Sequence, residues 1–278
     1  MTPVQALVAE MVRLSGAITA DEQRNSPGER ERGAFVRAES IRSVDAQANL
    51  YLAAAADSLR SADLLVSARD IALGPFIAAR ASLEVASKTL FLLDPNIGPQ
   101  ERVGRSLNLR LRTVLEQQKI ARRFDDAEAV ESCSRRLDTI TAVADELNLP
   151  IHRNRKGRVE SIGAPMPSAT DLAAVFVHSA LYGILSGTVH GDTNTLQQMM
   201  IEEIGRGPAG EISVRPIVQH RLHADMLPTI AAVYARAAWL LLVREGASIQ
   251  TLRPVFEERY DALRLKSDDS IRFWRGAH

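Results

Sequence analysis

The 278-residue chain has one cysteine, Cys133. A lone thiol closes no internal disulfide, so the fold owes nothing to oxidation and a reducing cytoplasm suits it. Aromatic residues make up only 5% of the chain, which gives little support for a stacked planar cofactor, and no cofactor is expected. Net charge is also missing. Lys+Arg and Asp+Glu are 34 each, so a whole-surface attraction to nucleic acid or membrane is not expected, and any such attraction must come from local patches.

No stretch reaches the ~18–20 uncharged apolar residues of a membrane span. The longest apolar run, near Ala231–Val243, is broken by Arg236, and no membrane partner is expected. The N-terminal apolar run carries Glu10 and Arg13 and lacks a basic leader, unlike a signal peptide, so the expected location is cytoplasmic. P-loop, GxSxG, EF-hand and Rossmann patterns are absent, and Gly205-x-Gly207 lies in a turn without the strand and helix of a nucleotide site.

Hydrophobic residues are 46% of the chain, enough to bury a sizeable core. Most of the sequence reads as helix. Pro3–Ala20 is amphipathic, and Asp21–Gly33 reads as a polar loop. Residues 35–72 contain neither proline nor glycine and are rich in alanine, a strong helix signal, with small residues at Ala53–Ala56 that permit close helix approach. Gly74-Pro75 starts a helix to Leu93, which Asp94-Pro95 stops.

Next come Pro99–Arg123 and Asp125–Leu147. Glu101–Arg123 carries seven Lys/Arg against two Asp/Glu, and Asp125–Glu146 two against seven, so an antiparallel hairpin of opposite charge is expected. Residues 148–167 read as the longest loop. Asp171–Val189 reads as one helix, capped at Ser168 or Thr170. Thr195–Val218 reads as two short strands around a Gly-rich turn, His220–Glu245 as a long apolar helix containing Pro228, and Ile249–Leu265 as the last helix.

The expected fold is all-α: a bundle of six to eight helices with a small β-hairpin near 197–218. It is read as one helical domain over 1–278, with an N-terminal helix at 3–20, a central bundle at 35–147 and a C-terminal bundle at 168–265.

One polar line stands out. His178, Tyr182, Ser186 and His190 are spaced by four on an otherwise apolar segment, so each neighbours the next if the segment is helical. Two histidines with a hydroxyl between them suit proton handling, and they equally suit a hydrogen-bonded interior seam. Arg80, Glu84 and Lys88 are likewise spaced by four. They read either as exposed ion pairs or as an Arg80–Glu84 pair that points inward to meet the first line. His190, Asp192, His220 and His223 form too weak a pattern to count as a metal site, and none is expected. The basic run Arg153, Arg155, Lys156, Arg158 and the basic helix before it are candidates for phosphate-backbone contact, without the interleaved aromatics of a single-strand binder.

"RASLEVASKTLFLLDP", "ERVGRSLNLRL" and "YGILSGTVHG" together resemble helical actinobacterial proteins of unknown function, in which an Arg-x-x-x-Glu helix and a Tyr-x-x-x-Ser-x-x-x-His-Gly helix recur. The His-Gly ending a long helix is more distantly similar to HEPN-type domains, often ribonucleases or their inactive relatives. That resemblance implies a site at Arg80, Glu84, His178, Tyr182, Ser186 and His190, with His190 as acid or base and Arg80 stabilising charge on a phosphate. Leu185 stands where the HEPN hallmark has arginine, and Arg215 with His220 match its spacing in a segment that reads as extended. Two functions follow as expectations. One is a non-catalytic interaction or regulatory protein whose partner is protein, itself or another. The other is a HEPN-like protein acting on RNA.

Overall fold

The computed structural model describes residues 1–68, 71–206, 212–216 and 220–263, without the side chains of 203, 204, 206, 212–216, 220, 221 and 224. Its helices are α1 (Pro3–Ala17), α2 (Ala20–Arg24), α3 (Pro27–Ala34), α4 (Ala38–Ser67), α5 (Gly74–Leu92), α6 (Pro99–Arg123) and α7 (Ala127–Glu146). A hairpin of β1 (Ile151–Arg153) and β2 (Val159–Ile162) follows. Then come α8 (Ala169–Ala174), α9 (Ser179–His190), α10 (Thr193–Met200), β3 (Ile201–Arg206), β4 (Ile212–Pro216), α11 (His220–Glu245) and α12 (Ile249–Ala262). The architecture is all-α. Eight of these helices have twelve residues or more, and both small sheets are antiparallel hairpins.

Apolar spacing decides which faces are buried. On α1, Val4, Leu7, Val8, Met11 and Leu14 form one buried stripe. The stripe joins a core of α4, α5, α11 and α12 that includes Leu59, Phe76, Leu83, Tyr234 and Phe256. A second core lies between the first half of α4, α6, α7 and the β1–β2 hairpin, around Ile41, Val44, Leu107, Leu111, Ile140 and Ile162. α4 and α11 contribute to both.

The segment Asp225–Glu245 of α11 is long and apolar enough to cross a membrane, because its charges other than Arg236 lie at its two ends, and 67% of its most apolar 18-residue stretch is buried in this core. Burial of Tyr234 there pushes its phenol up to about 12.

Four expected boundaries change. Residues 195–200, read as the start of the hairpin near 197–218, belong to α10, whose first turn is capped by Asp192 accepting from the Thr195 amide at 2.8 Å, so the first strand begins only at Ile201. The other three changes also have identifiable reasons. Residues 21–33 are helical rather than a loop: Thr19 and Ser26 cap two short helices, and Pro27 occupies the first turn of the second. Residues 151–162 form a hairpin whose turn is closed by Asn154. Its side-chain oxygen accepts from the amides of Lys156 (2.9 Å) and Arg158 (3.1 Å), and Gly157 takes a left-handed φ of 74°. The expected helix over 171–189 is broken between Ala174 and Ser179. His178 takes extended backbone there, and its Nδ1 accepts from the Ala180 amide at 3.2 Å, so it is the N-cap of a new helix.

The α6–α7 hairpin forms, yet opposite charge does not hold it. Among the described residues no ion pair crosses it, and Arg105 and Lys119 pair within α6 to Glu101 and Glu116. Buried Leu107, Leu111, Val114, Cys133, Ile140 and Ala144 close the seam instead.

The least expected feature is a buried ion network joining α3, α4, α6 and α11. Arg102 Nε donates to Glu31 (3.1 Å), and its Nη1 and Nη2 reach the Leu92 and Ile97 carbonyls at 2.6 and 3.1 Å. Arg244 pairs with Glu31 through Nη1 and with Asp45 through Nε (2.5 Å), and Arg32 donates to the other Asp45 oxygen at 2.6 Å. The Arg102 and Arg244 side chains are 6% and 10% exposed, so water screens them only weakly. Burial, only partly countered by Glu31, lowers the Arg102 pKa. Burial acts the same way on Arg244, but Asp45 and Glu31 together outweigh it and the value rises.

Removing one partner from such a network leaves a buried charge uncompensated, at about 3–5 kcal/mol. Glu31→Ala should therefore lower unfolding stability in urea by about 3 kcal/mol. Asp21→Ala, which breaks the exposed Arg24–Asp21 pair, should leave it nearly unchanged. Equal effects of the two changes would show that the network contributes nothing.

Glu245, beside this network, is raised above its ordinary value of 4.5 by burial, against the hydrogen bond from Asn49. A carboxyl raised in the folded state binds its proton more tightly there, so its contribution to stability falls as pH rises from the ordinary value through the raised one. Glu245→Gln should raise the melting temperature at pH 7 and leave it near the wild-type value at pH 4. A stability difference that does not vary with pH would contradict this.

Candidate functional site

The sequence placed six residues in one candidate site, and the fold brings four of them together. α5 and α9 pack side by side, with Arg80 and Glu84 on one and Tyr182 and Ser186 on the other. Arg80 Nε donates to Glu84 Oε1 at 2.7 Å, and the Tyr182 hydroxyl donates to the same oxygen at 3.0 Å. Arg80 Nη1 donates to the Ser186 carbonyl at 3.4 Å, so Ser186 takes part through its backbone. The guanidinium carbon lies 5.7 Å from the centre of the Tyr182 ring.

Tyr182 is buried, and the Arg80 and Glu84 side chains are 13% and 23% exposed. The inward-pointing arrangement is therefore the one adopted. Lys88 does not pair with Glu84; its ammonium lies 5.8 Å from the Tyr51 ring on α4. Burial works to lower the Arg80 pKa, but the hydrogen bond and charge of Glu84, with a smaller effect of Tyr182, raise it overall.

The two histidines stand apart from this cluster. His178 is an exposed cap on α9, outside the helical line in which the sequence placed it. His190 is the exposed last residue of α9, and among the described residues no hydrogen bond joins it to Arg80 or Glu84. The Gly191 that follows has a structural reason. Its φ of 68° is the left-handed C-cap, which lets Asp192 donate its amide to the Gly187 carbonyl at 2.9 Å. Asp192 in turn caps α10, and the Thr195 hydroxyl and amide hold its carboxyl below the ordinary range. His223 is buried against Phe76, ring centres 4.6 Å apart. The Arg215 and His220 side chains lie outside the described residues, and no cluster of metal-ligating side chains occurs among those described.

The basic run is presented as a unit. Arg153, Arg155, Lys156 and Arg158 are all exposed at the tip of the β1–β2 hairpin. The buried Asn108 fixes the hairpin to α6. Its amide donates to the Ile162 and Ala164 carbonyls at 2.6 and 2.9 Å and accepts from the Ile162 amide at 2.7 Å. Four cations on an anchored turn can meet phosphates at lower ordering cost than on a free loop.

Sequence reading missed a polar cleft of about 650 Å³ beside the ion network, lined by Arg32, Asp45, Asn49, Arg244 and Glu245. Its signal was present only as Glu29-x-Glu31 in a stretch read as loop. Comparisons of the chain with protein-family models, curated proteins and solved structures give no match.

Glu84 is the shared acceptor of the α5–α9 cluster. Tyr182→Phe removes one hydrogen bond to it and should cost about 1 kcal/mol in chemical denaturation. Glu84→Leu leaves Arg80 without its carboxylate and should cost about 2–3 kcal/mol. A double variant whose loss equals the sum of the two would show that Tyr182 and Glu84 are not coupled.

Proposed function

We propose that the protein acts without catalysis, as an interaction or regulatory protein that pairs with a second copy of itself. The observation that carries this reading is the closure of the Arg80–Glu84–Tyr182 cluster. Its arginine, carboxylate and hydroxyl are directed at one another and at the Ser186 carbonyl, and both candidate imidazoles face solvent elsewhere. A general acid or base must lie within hydrogen-bond reach of the group it serves, and this arrangement suits a clamp between two helices better.

Self-association is supported by a shallow groove of about 210 Å³ where α1, α4 and α11 meet. Met11, Val12, Leu52, Ala53 and Leu242 line it. Val12 is 61% exposed, and the small Ala53 leaves room for a partner's side chain. The free, single and buried Cys133 suits a reducing cytoplasm.

One observation favours a second reading, a HEPN-like protein acting on RNA: the anchored basic hairpin tip. Sedimentation velocity, together with RNA binding and cleavage across a salt series, separates the two. The expected result is a dimeric wild type, a monomeric Val12→Glu or Ala53→Arg variant with unchanged helicity, and no cleavage. A monomeric wild type overturns self-association. Salt-sensitive cleavage lost in both His190→Ala and Arg80→Ala would replace this reading with the ribonuclease.

A further inference from the structure

A cleft of about 430 Å³ opens where the C-terminal end of α5, α8 and the middle of α11 meet. Its walls are largely apolar, with Leu90, Leu172, Phe176 and Leu240 among them, and Val175, 74% exposed, belongs to its rim. Small-molecule sites combine this size and lining with a few well-placed polar groups.

Two arginines enter the cleft, in different states. Arg105 is committed. It donates to the Phe91 carbonyl (2.8 Å), to Glu101 (2.7 Å) and to Asp94 (3.4 Å), and its guanidinium lies 4.3 Å from the Phe91 ring centre. Arg236 is half-buried on the apolar helix α11, 5.8 Å from the Phe176 ring centre, and among the described residues no carboxylate or carbonyl accepts from it.

The two acids of the cleft are already engaged. Asp171 accepts from the Ser168 hydroxyl (2.6 Å) and amide (3.1 Å), which hold it below its ordinary range. Asp94 accepts from the Asn96 amide at 3.0 Å as well as from Arg105.

We propose that this cleft binds a small amphipathic carboxylate, its apolar chain against Leu172, Phe176 and Leu240 and its head paired with Arg236. A guanidinium is a fork of parallel donors that fits a carboxylate in a bidentate pair, and partial burial strengthens that pair. A neutral head forgoes the charge-assisted bonds, and an amine meets a like charge. The cleft shares no lining residue with the groove between α1, α4 and α11, and the proposal does not depend on self-association.

Isothermal titration calorimetry of the full chain with decanoate, decanol and decylamine tests the assignment. Decanoate should bind one to one, about tenfold or more tighter than decanol, as a hydrogen bond to a charged group implies, with decylamine no tighter than decanol. Arg236→Met keeps an apolar stem and should abolish the preference for decanoate without changing decanol binding. Arg236→Lys should retain part of it. Decanoate binding no tighter than decanol in the wild type, or a preference that survives in Arg236→Met, would overturn the proposal. The wild-type rank order decides the matter even if a variant does not fold.

Discussion

The positions of α3, α4, α6 and α11 depend on two buried arginines, Arg102 and Arg244, and the part-buried carboxylates of Glu31 and Asp45 that meet them. Apolar packing alone would let these helices slide, because one leucine contact resembles the next. Charges do not slide. Each must meet its opposite in the interior or bear several kcal/mol of desolvation. The network is also asymmetric. Arg244 has both carboxylates, and its pKa rises against burial. Arg102 pairs directly with Glu31 alone; burial first and the repulsion of Arg244 next outweigh the attraction of Glu31 and the more distant Asp45, and it falls below its ordinary value. Its remaining N–H groups go to the Leu92 and Ile97 carbonyls, so Arg102 also closes the end of α5. One side chain thus satisfies the last carbonyl of α5 and ties that end to the first turn of α6.

The same end of the molecule holds α3 close to α11. A Cβ on Gly28 would lie 3.0 Å from the Arg244 carbonyl oxygen, so any other residue would push α3 and α11 apart by a few tenths of an ångström. Gly246 is stricter. Its φ of 112° is left-handed, and a Cβ would come within 2.4 Å of the Glu22 carbonyl oxygen. The short N-terminal helices are therefore fitted to the end of α11 by two glycines and held there by the ion pairs. α11 carries the apolar half of the same function, lending buried side chains to both cores.

Helix content was legible wherever one period ran uninterrupted, as in α4, α5, α6 and α11. The hairpin expected near 197–218 was legible in part: β3 and β4 pair over 201–206 and 212–216, but residues 195–200, read as its beginning, are helical. What failed to show had two causes. Residues 19–34 are too polar for an apolar period, and only their caps, Thr19 and Ser26, signal helix. Buried ions are invisible for a similar reason: Glu31 in sequence looks like any surface acid. The polar line at 178–190 was half legible. Spacing by four brought Tyr182 and Ser186 to Arg80 and Glu84, but it assumed a helix that breaks at Val175–Val177, where a run of bulky side chains precedes a histidine able to cap.

Among the described residues three arginines lie near aromatic rings, and comparing them shows what makes such a residue structural. Arg105 is over Phe91, Arg80 over Tyr182 and Arg236 over Phe176. The ring contact is common to all and decides nothing. Arg80 and Arg105 each also have a carboxylate within 2.7 Å, from Glu84 and Glu101 one helical turn away on their own helix. For Arg236 the positions one turn away on α11 are Ala232 and Leu240, whose side chains carry no acceptor. A helix that must be apolar to serve two cores cannot also supply the acid. The demand that places the middle of α11 at the centre of the fold is therefore the one that leaves Arg236 without a carboxylate on its own helix, at the edge of an apolar cleft.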